Sequence, residues 1–181
     1  MLRVVRWTDW DGKGLEHLFV ADDETRIAAR SLVIGERDGH RFGLSYQLTL
    51  DPRWRVREVS MQIVDGPALH LVSDGHGRWS GADGMELAGL SGCIDVDIAA
   101  TPFTNTLPIR RLDLAVGETG TIKVAYVSVP DLAVKAVEQR YTRLGEKRFR
   151  YDGLSTGFSV EIEVDGDGIV GDYPGVFRRA P

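Results

Sequence analysis

Apolar and polar side chains alternate along much of this chain. In Phe158-Ser-Val-Glu-Ile-Glu-Val164, apolar residues hold every second position, with Ser159, Glu161 and Glu163 between them. A period of two places successive side chains on opposite faces of a strand, one toward a core and one toward water. Leu44-Ser-Tyr-Gln-Leu-Thr-Leu50 repeats the pattern, as do Ile94, Val96 and Ile98 against Asp95 and Asp97, and Ile122, Val124 and Tyr126 further on. Turn pairs punctuate these segments, among them Asp11-Gly12, Asp38-Gly39, Asp65-Gly66, Asp74-Gly75, Asp83-Gly84, Asp152-Gly153 and Asp165-Gly166. Aspartate and glycine tolerate the positive φ that tight hairpins need. The pattern predicts a mostly β protein of many short antiparallel strands, with at most one or two short helices.

Two segments fit either period. Asp22-Asp-Glu-Thr-Arg-Ile-Ala-Ala29 is compatible with a short helix. Asp131 to Leu144 places Leu132, Ala136, Val137, Tyr141 and Leu144 at helical spacing, yet also reads as a strand with a bulge. The run Thr101-Pro-Phe-Thr-Asn-Thr-Leu-Pro-Ile-Arg-Arg111 stands apart from both patterns. Its prolines fix φ and remove donors, so it is predicted to be a rigid, non-repetitive loop with a shaped polar surface.

A faint internal repeat aligns Leu44–Asp51 with Phe158–Asp165, and Arg30–Gly35 with Arg140–Gly145. It suggests one domain over 1–181, built from similar halves at roughly 1–90 and 91–181 that face each other across a cavity.

The 181 residues, 43% of them hydrophobic, suffice for one domain with a real core. A formal net charge of -5 argues against a dedicated nucleic-acid binder. The single cysteine, Cys93, rules out an internal disulfide and is expected to be a small buried side chain. No apolar stretch approaches the roughly 20 residues of a membrane span, and the first residues lack a secretory core. A cytoplasmic protein is expected.

The order of several motifs resembles a family of bacterial proteins named "putative glycolipid-binding". The motifs are Trp10 with Gly14-Leu15-Glu16; Tyr46 with Asp51-x-x-Trp54-x-x-Arg57; Asp74-Gly75 with Gly77-x-Trp79; Gly92-Cys93-x-Asp95-Val96-Asp97; Thr101 to Arg111; Gln139-x-Tyr141; and Asp167-Gly168-x-Val170 with Tyr173-Pro174. The resemblance implies an open or split β-barrel of two halves. It also implies a small amphiphilic partner, a glycolipid or lipid, bound without a cofactor.

The candidate ligand-binding residues are Asp95, Asp97, Thr101, Phe103, Thr104, Asn105, Arg110, Arg111, Gln139 and Tyr141. Asp95 and Asp97 should share one strand face about 7 Å apart. That separation suits a general acid and base, so a hydrolase acting on a sugar or ester is the alternative function. The same carboxylates could face solvent or answer Arg110 and Arg111. An inward arginine could hold an anionic head group bidentately. Thr104, Asn105 and Thr106 could bind sugar hydroxyls or satisfy their own backbone. Trp7, Trp10, Trp54 and Trp79 could line an acyl cavity or plug the barrel ends. His17, His40, His70 and His76 show no metal-ligand spacing. Asp165-Gly-Asp-Gly168 lacks the remaining ligands of a calcium loop and is expected to be a hairpin turn.

Overall fold

The computed structural model describes residues 2–181. Its strands are β1 (Leu2–Asp9), β2 (Leu15–Asp22), β3 (Ile27–Arg37), β4 (His40–Leu50), β5 (Val56–Ile63), β6 (Ala68–Ser73), β7 (Trp79–Gly81), β8 (Asp95–Ile98), β9 (Thr119–Val127), β10 (Val134–Arg143), β11 (Arg148–Gly153), β12 (Phe158–Glu163) and β13 (Phe177–Ala180). One α-helix, α1 (Thr106–Leu112), follows a short 3-10 turn at Phe103–Asn105. The strands form an eight-stranded sheet, β13-β1-β2-β3-β4-β5-β6-β7, and a curled five-stranded sheet, β12-β11-β10-β9-β8. Neighbours are antiparallel except β8, which joins β9 in parallel. The chain runs through the larger sheet, then the smaller one, and returns with β13 beside β1.

The main core lies between the sheets. Leu18, Tyr46, Leu48 and Val59 of the larger sheet pack in one cluster with Val96, Ala125 and Val127 of the smaller. A second cluster, including Ile109, Tyr141, Phe149, Ile162 and Tyr173, joins α1 to the smaller sheet. The period-two segments are strands, and the alternation is followed closely in β4; in β12 the first apolar residue, Phe158, stays exposed, and on β8 the polar-phase Asp95 is buried.

Both ambiguous segments resolve against helix. The Asp23 carboxylate accepts hydrogen bonds from the backbone N–H groups of Thr25 and Arg26, which turns the chain from β2 into β3. Val134–Arg143 is β10, aligned with β9 over its whole length. The Thr101–Arg111 run differs the other way: most of it is helical. Pro102 precedes the 3-10 turn, and Pro108 sits in the first turn of α1. First-turn N–H groups have little or no intrahelical use, so proline costs little there.

Aspartate turns place the tryptophans. Asp51 Oδ1 accepts from the N–H groups of Arg53 and Arg55, and Asp74 Oδ1 from those of His76 and Arg78. Asp165 Oδ1 does the same for Asp167 and Ile169, which gives that segment the expected turn in place of a calcium loop. The Asp51 turn holds Trp54 at φ 62° and delivers its ring to the core. Beyond the Asp74 turn, Trp79 is buried and donates its indole N–H to the Cys93 carbonyl at 2.6 Å. Cys93 is itself fully buried, and burial pushes its thiol up to about 11.

Candidate functional site

The Thr101–Leu112 segment is wedged between the sheets, with Phe103 and Leu107 in the main core and Ile109 in the second. Its polar side chains fasten it to surrounding elements. The Tyr46 hydroxyl on β4 lies 3.4 Å from Thr101 Oγ1, and that oxygen accepts the Phe103 N–H at 3.0 Å. Thr104 donates to Asp97 Oδ1 at 3.3 Å and accepts the Ile98 N–H. Asn105 accepts the Tyr141 hydroxyl at 2.8 Å and donates to the Pro102 carbonyl. Thr106 accepts the Val170 N–H.

Asp95 and Asp97 point to different partners. Asp95 is fully buried under α1, where Arg111 donates to both of its oxygens, from Nε at 3.0 Å and from Nη2 at 2.6 Å. Burial raises its carboxyl, and the guanidinium pulls it back. Asp97 accepts from Gln139 Nε2 at 2.6 Å. Burial raises it too, against the opposing effects of Gln139, Thr104 and the more distant Arg37 charge. Asp97 and Gln139 also line a cleft of about 160 Å³ with Tyr126, Lys135 and Tyr151.

The ten sequence candidates therefore separate. Asp97, Thr104, Asn105, Gln139 and Tyr141 form one connected polar network. Asp95 and Arg111 form a buried ion pair beside it. Thr101 belongs to a third group around Tyr46, and Phe103 is core. Arg110 faces away, exposed, with its guanidinium 5.2 Å from the Trp54 ring centroid.

A cavity of about 160 Å³ opens where the strand ends of the larger sheet meet Ala99 and Ala100, which follow β8. Trp7, Val33, Phe42 and Phe177 are among its apolar lining residues. Trp7 is held by its indole N–H, which donates to the Gly171 carbonyl at 3.0 Å. Gly35 permits the Phe42 ring to fold against the backbone, since a Cβ there would lie 2.8 Å from Phe42 Cζ. The cavity shares Ile34, Gly35, Glu36, Arg37 and Phe42 with a wider groove of about 1020 Å³. That groove runs from the β3–β4 hairpin to the 126–131 segment of the smaller sheet, and Arg37, His40, Arg41 and Asp131 add charged and polar groups to an otherwise largely apolar lining.

Glu16 is the residue that sequence reasoning overlooked. It lines the cavity at 3% exposure. Its Oε1 accepts the hydroxyls of Tyr46 at 2.6 Å and Ser31 at 2.7 Å, while Oε2 has no hydrogen-bond partner among the described residues. Burial pushes its carboxyl up to about 7, with the hydroxyls of Thr101, Tyr46 and Ser31 holding it down. The signal was its register: Glu16 stands in phase with Leu18 and Val20, both core residues. Leu15 and Phe19 on the opposite phase mask that register in the sequence.

Among the described residues, no cluster of three or more His, Cys, Asp or Glu side chains could hold a metal ion, and no helix is long and apolar enough to cross a membrane. A solved structure of a DUF1089 family protein from Pseudomonas aeruginosa is similar to this chain at 36% identity, covering 91% of this chain and 92% of that one, with a TM-score of 0.80. No curated protein matches the chain. The model of the family described as "Putative glycolipid-binding" matches residues 4–179. With that match spanning the two sheets and the wedge between them, the chain belongs to this family.

Proposed function

We propose that the protein binds an amphiphilic ligand without transforming it, the apolar part in the cavity between the sheets and the polar part in the adjoining groove. The observation that carries this reading is the shared wall between a narrow, mostly apolar chamber and a wider groove that adds charged side chains, among them Arg37, Arg41 and Asp131. Ligand sites of this kind combine apolar walls with a few convergent polar groups. The chamber is comparable to cavities that accept a benzene-sized group, about 150 Å³. Arg37, exposed at the junction, would meet an anionic or hydroxyl-rich head group. Glu16 would supply a hydrogen bond from inside.

In this reading the Thr101–Arg111 wedge sets the separation of the sheets, and Asp97 and Gln139 form a secondary contact through their own cleft. The family's description supports a glycolipid as the ligand class. The alternative, a hydrolase using Asp95 and Asp97, is less well supported. Arg111 occupies both oxygens of Asp95, so Asp97 lacks it as a catalytic partner.

The test uses octyl glucoside below its micelle concentration, with amide resonances followed by NMR. Shifts are expected to cluster at Trp7, Val33, Phe42 and Phe177, and a Val33→Phe variant that fills the chamber is expected to weaken binding tenfold or more, about 1.4 kcal/mol. Ala100→Leu serves as a second filling variant should Val33→Phe overpack the core. Shifts confined to Tyr126, Gln139 and Tyr151 would place the ligand in the other cleft and refute this assignment.

A further inference from the structure

The outer face of the larger sheet carries an apolar surface that the core does not use. Leu2 and Val4 on β1, Leu15 and Phe19 on β2, and Leu32 and Ile34 on β3 are all exposed, Leu2 at 75% and Ile34 at 67%. Strand register makes them neighbours, for Val4 lies opposite Phe19 and Leu15 opposite Ile34. Exposed apolar groups gathered in this way mark an interaction surface rather than ordinary surface scatter.

Charge identifies the partner. Arg6, His17 and Arg30 occupy outward positions within the same patch, where Arg6 faces His17, His17 faces Leu32 and Arg30 faces Phe19. Along the outward positions of these strands the one carboxylate is Glu36, past Ile34 near the end of β3, where it pairs with Arg41; Glu16 points inward, and Asp9, Asp22 and the Asp23–Glu24 turn lie at strand ends. Among the described residues, neither Arg6 nor Arg30 forms an ion pair. This cationic face belongs to a chain whose formal net charge is -5. A second copy stacked face to face would set arginines against arginines, whereas an anionic surface satisfies both the charge and the apolar side chains. The patch also continues to the cavity, because Leu15 and Ile34 line both.

We propose that the outer face of β1, β2 and β3 docks on an anionic lipid surface, with Arg6 and Arg30 at the phosphates and the apolar side chains entering the headgroup layer. This docking surface meets the cavity only at Leu15 and Ile34, and its test does not require any ligand in that cavity.

The experiment is cosedimentation of the whole chain with vesicles of phosphatidylcholine alone or mixed with phosphatidylglycerol, at low and high salt. Sedimentation velocity without lipid runs in parallel. Enrichment on the phosphatidylglycerol vesicles is expected, weakened by salt and reduced roughly tenfold or more in an Arg6→Ser, Arg30→Ser double variant. Leu32→Asp, at an exposed position, should abolish binding while leaving circular dichroism and thermal unfolding unchanged. Failure to bind either vesicle, or equal binding to both, would overturn the proposal. A lipid-free dimer dispersed by Leu32→Asp would also overturn it, because the face would then belong to a second copy.

Discussion

Replacing Arg111 by alanine is expected to destabilise the protein by about 3–5 kcal/mol, the usual cost of stranding one partner of a buried ion pair. Asp95 is fully enclosed, and Arg111 is only 14% exposed, so water can replace little of the lost interaction. The pair also ties α1 to β8, the edge strand of the smaller sheet. Urea unfolding measures the effect directly through its midpoint at constant slope. Removing both charges together, as Asp95→Leu with Arg111→Met, should recover most of the loss, because the buried charge is no longer stranded. A loss below about 1 kcal/mol for Arg111→Ala would place the pair in a wetter setting than described here.

Glu16→Gln is expected to raise stability at pH 8, by an amount on the order of 1–3 kcal/mol. The wild-type carboxyl is pushed from 4.5 to about 7 by burial. Between those values the folded protein holds a proton that the unfolded chain has released. Stability from this group therefore falls as pH rises through that window, and the cost is complete above it. Glutamine keeps an acceptor for Tyr46 and Ser31 and never ionises. The variant and the wild type should converge near pH 4 and separate toward pH 8. Asp95 and Asp97 are also raised by burial, so the wild-type curve alone mixes several carboxyls; the difference between the two proteins isolates Glu16. A difference that stays constant across this range would remove the buried-acid assignment.

The strands were legible because each carries its own record of burial. Phe158 to Glu163 alternates, and in β12 burial deepens along the apolar phase, from exposed Phe158 through half-buried Val160 to Ile162 in the core. The wedge is not legible in the sequence, because proline reads as a breaker whereas Pro108 occupies a position where its missing N–H has little cost. Asp95 and Asp97 show a related limit. Alternation placed them on one face, and a polar face is ordinarily a wet one, but α1 and the 3-10 turn cover it. Nothing within a strand states what will pack over it; that depends on a segment whose conformation the prolines disguised. Glu16 was hidden by the opposite effect. Its strand is apolar on both phases, since Leu15 and Phe19 belong to the outer patch, so the chain offers no rule for deciding which phase is interior. The feature that obscured the buried acid is thus the same one that marks the outer docking face.

Native mass spectrometry of the protein isolated gently from its own host tests the central claim, an amphiphile held in the chamber between the sheets. The wild type should carry a discrete adduct that extracts into organic solvent, and Val33→Phe, with its chamber filled, should emerge without it. An adduct retained by Val33→Phe and lost instead on Gln139→Ala would rule out the chamber and move the ligand to the cleft beside Asp97.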